Sequence, residues 1–307
     1  MGKRGQPRAS PRYGNRLGHA IFHWCIQRFG VVPAYVMLML IIPYYVVFRP
    51  SARRSAAPYL RHRFPDLSPV QRLAATVKYF YAFGQVLIDQ AAMGVLGADA
   101  FKVEFPGAGQ LYESARARSG IVLLTTHAGA WQTSMASMDA LNVPVHFHLR
   151  LEPHTTGRHF FDLAGNRKRF NIISPDGFLG GMVEMTNALN AGECAAVMGD
   201  RAWGGRTRRV PFLGDEADFP ITPYHLALLT GADVGVLLTV RTGRCAYRIE
   251  HVRITQDQDF RSMPREEAID LLLQRYVKCL EEYLERNPLM WFNFFDFWDD
   301  GEKSQAG

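Results

Sequence analysis

Hydrophobic and polar positions divide the chain into two unlike parts. The longest uncharged run is Phe29 to Phe48, twenty residues bounded by Arg28 and Arg49. At 1.5 Å rise, twenty helical residues match the ~30 Å hydrocarbon core of a bilayer. Pro33 and Pro43 interrupt the run, and Tyr35, Tyr44 and Tyr45 suit a headgroup boundary better than a bilayer centre. The pattern predicts a kinked helix lying in, or just through, one membrane leaflet. Ser68 to Leu96 reads as a helix, with Ser68 as N-cap, Pro69 at the first helical position and apolar residues at intervals of three and four.

From Phe101 onward the pattern changes. Short Val/Ile/Leu-rich runs at Ile121–Thr125, Val143–Leu149, Cys194–Met198 and Val234–Val240 read as strands. Helical stretches such as Met182–Ala191, Pro223–Thr230 and Pro264–Arg286 separate them. Strand alternating with helix predicts an α/β fold, a mostly parallel sheet flanked by helices, with sites at the carboxyl ends of the strands. The expected division is a membrane-associating segment over residues 1–63 and a catalytic α/β domain over 64–307.

Charge sharpens that division. The 307 residues carry a net charge of +6, yet residues 1–63 hold eleven Lys/Arg and no Asp or Glu. The rest of the chain has 24 of the 35 basic residues against all 29 acidic ones. Basic residues around an apolar run fit anionic lipid, where each contributes ~1 kcal/mol. They do not suit nucleic acid, because no aromatics are spaced among them for base stacking. The run is followed by Arg53-Arg54 rather than a small-residue cleavage site, which argues against a secretory signal. Position 6 is Gln6, so Gly2 lacks the myristoylation context. Cys25, Cys194, Cys245 and Cys279 lie far apart, which excludes a disulfide scaffold and a cysteine-based zinc site and suits a reducing compartment.

The candidate chemistry lies in Ile121 to Gln132, IVLLTTHAGAWQ. An apolar strand delivers His127 at its carboxyl end, and Gly129 permits a sharp turn into the next helix. An imidazole with an ordinary pKa of ~6.5 exchanges protons near neutrality and serves as a general base. Such a base needs a partner on its other ring nitrogen, and Gln132, five positions on, is the expected one. His146, His148, His154 and His159 do not match HExxH or a zinc triad, and His19 with His23 lack a third ligand.

The segment resembles the His-x4-Asp/Glu pattern of the lysophospholipid acyltransferase superfamily, and especially its branch of bacterial lipid A biosynthesis (lauroyl/myristoyl) acyltransferases. Further blocks agree in order and spacing. His148-Leu149-Arg150 falls where the branch has an arginine at a strand end. Val197 to Arg201 with Gly204, then Val210-Pro211-Phe212-Leu213-Gly214, is similar to its D-Q/R-x-x-G…V-P-F-F-G block. Pro223 to Gly231, leading into the Val234–Val240 strand, resembles its helix before a strand. Pro288 to Trp298 is similar to its P-x-x-W-F-N-x-x-x-F-W close.

The resemblance implies a glycerolipid acyltransferase-like fold and a reaction in which a fatty acyl group passes from an acyl-carrier-protein or coenzyme A thioester to a hydroxyl or amine of a lipid acceptor. His127 would be the base, and Gln132 its orienting partner in place of the family's acid. Arg150, Asp200, Arg201 and Gly204 would bind substrate. The step requires no metal, cofactor or covalent enzyme intermediate. The implied location is the cytoplasmic face of a bacterial inner membrane. An amide can orient an imidazole but cannot stabilise the imidazolium, so Gln132 leaves two rivals: an acyl thioesterase, and a catalytically retired protein that binds lipid or acyl carrier.

Overall fold

The computed structural model describes residues 16–97, 100–132, 138, 141–150, 170–202 and 205–299. Four helices lead: α1 (Arg16–Phe29), α2 (Val31–Phe48), α3 (Pro50–Arg63) and α4 (Pro69–Leu96). Gly30, with φ of 75°, separates the first two. Pro43 lies inside α2, which continues past it to Phe48. Helix α4 starts with Pro69 in its first turn behind a capping box, in which the Ser68 hydroxyl accepts from the Gln71 amide and the Gln71 side chain accepts from Ser68 N–H.

The remaining elements are β1 (Lys102–Glu104), α5 (Ala108–Ala117), β2 (Ile121–Thr125), β3 (Val145–His148), β4 (Phe170–Ile173), α6 (Met182–Asn190), β5 (Cys194–Met198), β6 (Thr207–Phe212), β7 (Asp215–Pro220), α7 (Thr222–Thr230), β8 (Asp233–Gly243), β9 (Ala246–Arg253) and α8 (Arg265–Arg286). Seven strands form one sheet in the order β1-β9-β8-β2-β5-β3-β4. All neighbours pair parallel except β8 with β9. Strands β6 and β7 form a separate antiparallel hairpin, turning at Leu213 and Gly214, both with positive φ.

Strands buried on both faces deal their residues alternately to two cores. Val122 and Leu124 of β2, Ala195 and Val197 of β5, and Val234, Val236 and Leu238 of β8 join the helices α1–α4, α7 and α8 in the larger core. Ile121, Leu123, Cys194, Ala196 and Leu237 face the smaller one with Leu111 of α5.

Helix α2 is apolar all round, yet only one face meets the protein: Val31, Ala34, Tyr35, Leu38, Ile42 and Val46, spaced three and four apart. Val36, Met39, Leu40, Val47 and Phe48 of the same helix are exposed, as are Trp24 and Phe29 of α1. A buried polar cluster fixes the inner face. The Tyr35 and Tyr247 hydroxyls donate to the Asp89 carboxylate, and Arg241 donates to both Asp89 (Nε–Oδ2 3.1 Å) and Tyr35 (Nη2–Oη 3.1 Å). Asp89 is 1% exposed, so this pairing compensates the cost of burying its charge.

Candidate active site at the carboxyl edge of the sheet

The site follows from strand register. In the β2–β5 pairing Thr125 lies opposite Met198, and Gly199 N–H donates to Thr125 O at 2.8 Å, which carries the alignment one step beyond the strands. Two residues past each strand end stand His127 and Asp200. His127 N–H donates to Asp200 Oδ2 at 2.8 Å, and His127 Nδ1 lies 2.9 Å from Oδ1. Two glycines permit the approach. A Cβ on Gly129, whose φ is +59°, would fall 1.9 Å from the Thr239 carbonyl oxygen. One on Gly199 would fall 2.5 Å from the Tyr276 ring.

Asp200 is 3% exposed. Burial opposes its charge, but the neighbouring His127 charge, the His127 side-chain and backbone donors and the Trp291 indole outweigh it, holding the carboxyl below its ordinary range. A carboxylate only accepts hydrogen bonds, so Nδ1 of His127 bears a proton, and in the neutral imidazole the lone pair is on Nε2. Among the described residues nothing pairs with Nε2, and the side chain is 22% exposed. The imidazole is therefore oriented by a buried anion and open on its basic side, which is the arrangement general-base chemistry requires.

The polypeptide after α8 straps the site. Met290 O accepts from Gly129 N–H at 2.7 Å, and Phe292 N–H donates to His127 O at 2.8 Å, bracketing an antiparallel bridge between Ala128 and Trp291. Trp291, 0% exposed, donates from Nε1 to Asp200 Oδ2 at 2.8 Å. Tyr79 of α4 donates to Trp291 O at 2.6 Å and Tyr59 of α3 to Pro288 O at 2.7 Å. The hairpin contributes Phe212, edge-on to the Trp291 ring at 5.3 Å, and its carbonyl accepts from Trp298 Nε1 at 3.0 Å. The Val210–Gly214 and Pro288–Trp298 blocks thus pack on one another beneath the site.

The hydrogen-bond partners of the expected site residues differ from those the sequence suggests. Gln132 is not the partner of His127: its Oε1 accepts from Gln90 Nε2 of α4 at 2.7 Å, and the ring nitrogen it was to hold belongs to Asp200. Asp200 in turn is buried, with both oxygens engaged by His127 and Trp291. Arg201 stands beside the pair, its guanidinium 4.9 Å over the Phe295 ring. Burial lowers its pKa against the pull of Asp200, and among the described residues no carboxylate bonds to it. Arg150, past the end of β3, forms a forked pair with Asp176, Nε to Oδ2 at 2.8 Å and Nη2 to Oδ1. Gly204, His154 and His159 lie outside the described residues. His146 pairs with Glu193 at 2.6 Å, and His148 Nε2 meets Gly180 O at 2.9 Å. Among the described residues no cluster of three His, Cys, Asp or Glu is placed to hold a metal.

Sequence reasoning missed the Asp200 pairing and the indole donor. Strand register, which brings residues 73 positions apart together, leaves no local signal; the Trp291 block was legible as a resemblance to the family's close, with nothing in it that pointed to Asp200.

No curated protein matches the chain. The profile of the bacterial lipid A biosynthesis acyltransferase family matches residues 11–299, nearly the whole length. The chain therefore belongs to the bacterial lipid A biosynthesis acyltransferase family and is an acyltransferase.

Proposed function

We propose that the protein moves a fatty acyl chain from an acyl-carrier-protein or coenzyme A thioester to a hydroxyl or amine of a membrane lipid or glycolipid, with His127 as general base. The observation that carries this reading is the partly exposed imidazole whose Nδ1 is locked to a buried carboxylate and whose Nε2 has no partner among the described residues. His127 Nε2 takes the proton of the acceptor O–H or N–H as that atom attacks the thioester carbonyl. Collapse of the tetrahedral intermediate breaks the C–S bond, and the departing thiolate takes the proton back from the imidazolium. Asp200 acts through His127, fixing its tautomer and stabilising the cation. Arg201, held against Phe295 without a carboxylate partner among the described residues, suits a phosphate or carboxylate of donor or acceptor. Arg150 and Gly204 are further substrate-binding candidates.

With a carboxylate on His127, the Gln132 substitution no longer argues for a retired enzyme. The thioesterase reading differs only in the acceptor, which would be water.

The N-terminal helices support work at a membrane surface. Helix α2 is the one described helix long and apolar enough to cross a bilayer. Its inner face is nevertheless bound to the protein through Tyr35 and Asp89, which favours a helix lying in the leaflet with Val36, Met39, Leu40, Val47 and Phe48 toward lipid. The basic residues 1–63 would engage anionic headgroups at the cytoplasmic face of the inner membrane.

The test uses detergent-solubilised protein, radiolabelled dodecanoyl and tetradecanoyl thioesters of acyl carrier protein or coenzyme A, and a total bacterial lipid extract. Free thiol and labelled lipid are both followed. Label entering a lipid band in wild type but not in His127→Ala supports acyl transfer. Thiol release with free fatty acid alone makes the protein a thioesterase, and undiminished transfer in His127→Ala removes the base.

A further inference from the structure

We propose that Trp291 is a positioning residue for acyl transfer, its indole N–H setting the charge and orientation of Asp200 and, through it, the basicity of His127. The inference rests on His127 being the base. Asp200 is buried and accepts three hydrogen bonds: Oδ1 takes one from His127 Nδ1, and Oδ2 takes one from His127 N–H and one from Trp291 Nε1. Two of the three come from the residue Asp200 must orient. Trp291 is therefore the one of these donors that does not come from His127. Asp200 is faced from α8 by Tyr276, whose hydroxyl is buried without a partner among the described residues, and beside it on the same chain segment stands Arg201, turned onto Phe295.

The ring is held for this task. Trp291 meets Tyr59 at 5.1 Å, Phe297 at 5.2 Å and Phe212 at 5.3 Å, each at a steep angle, and its backbone is bridged to Ala128 beside the base. Such packing leaves the indole a single position, so its N–H returns to the same oxygen in every turnover. A donor to a carboxylate also draws off part of its negative charge. Without it, the anion attracts the imidazolium proton more strongly, and a base that holds its proton to higher pH loses the lower part of its working range.

The test is the pH profile of kcat/KM for the thioester donor at fixed lipid extract, in wild type, Trp291→Phe, Asp200→Asn, the double variant and His127→Ala. Trp291 also fills the core, so the same profile is measured with 3-benzothienylalanine at 291, which keeps the bicyclic volume and lacks only the donor. Loss of the donor moves the acidic limb up by about half a pH unit and lowers kcat on the plateau ~10-fold, with KM for the donor unchanged. In the Asp200→Asn background, removing the donor has little further effect, because its target charge is gone. An acidic limb unmoved in both 291 variants overturns the role, as does an effect that simply adds to that of Asp200→Asn. Turnover persisting in His127→Ala removes the base assignment itself; its loss with an unmoved limb removes only the role of Trp291.

Discussion

His127 and Asp200 stand 73 residues apart in the chain, yet their side chains meet at 2.9 Å because each follows its strand by two residues and the two strands run parallel in matched register. The backbone of His127 shares the same carboxylate at 2.8 Å, so the pair is anchored twice. Orientation of the ring depends on the sheet, not on the loop that carries it.

That relationship predicts unequal losses at the two positions. His127→Ala should lower acyl transfer by ~10²–10⁴-fold, the range general-base catalysis supplies. Asp200→Asn, which keeps shape but not charge, should lower kcat substantially while leaving donor KM near wild type. Single-turnover transfer of labelled acyl groups measures both. Equal activity of Asp200→Asn and wild type would remove the carboxylate from the mechanism.

Gln132 should behave unlike Asp200. Its amide bonds Gln90 of α4, so Gln132→Ala removes one neutral hydrogen bond, with a stability cost of about 0.5–1.5 kcal/mol and only a small change in kcat. Gln132→Glu should stay active. Denaturant melts beside turnover decide the matter: a loss at Gln132 as large as that at Asp200 would return it to the catalytic group.

Gly129→Ala should destabilise the fold on the order of 3 kcal/mol, since the added carbon meets the Thr239 carbonyl at 1.9 Å in a backbone of positive φ. A thermal melt reads this directly, and an unchanged Tm would mean that the loop after β2 stands farther from β8.

The outer face of α2 offers a clean separation of binding from stability. Met39 and Leu40 are 57% and 76% exposed, so Met39→Glu with Leu40→Glu should weaken flotation with anionic phospholipid vesicles while leaving Tm nearly unchanged. Leu38→Glu, on the buried face, should unfold the N-terminal helices instead. Full vesicle binding by the exposed pair would exclude this face as the lipid contact.

Acid should weaken the protein through His251. Burial, helped by nearby Arg253, pushes its pKa from 6.5 to about 4, and both ring nitrogens lack partners among the described residues. The unfolded chain binds its proton at higher pH than the folded one. Its neutral, buried state is therefore fully compatible with folding above pH 6.5, and stability falls progressively as pH drops toward 4, by on the order of 3 kcal/mol. Asp200, its pKa depressed, adds a loss only below the ordinary carboxylate range. His251→Gln should flatten the slope between pH 6.5 and 4; an unchanged slope would place the acid sensitivity elsewhere.

The sequence by itself determined the alternation of apolar strands with helices, the capping of α4 by Ser68, the apolar basic-flanked N-terminal segment and the histidine at the end of β2. Each of these rests on neighbours in the chain: periodicity, cap chemistry, charge counts and the strand that ends before His127. The short strand β4, the β6–β7 hairpin and β9 escaped it, since their pattern is brief or mixed and their pairing partners supply what local propensity lacks. Tertiary structure alone decided which acid meets the ring of His127. Five positions after His127 the chain has already turned toward α4 and Gln132 meets Gln90, while parallel pairing lays the end of β5 alongside and brings Asp200 to the ring nitrogen. Contacts set by register and by a returning tail such as that of Trp291 join residues whose separation carries no local signature, so they become readable only when the sheet is assembled.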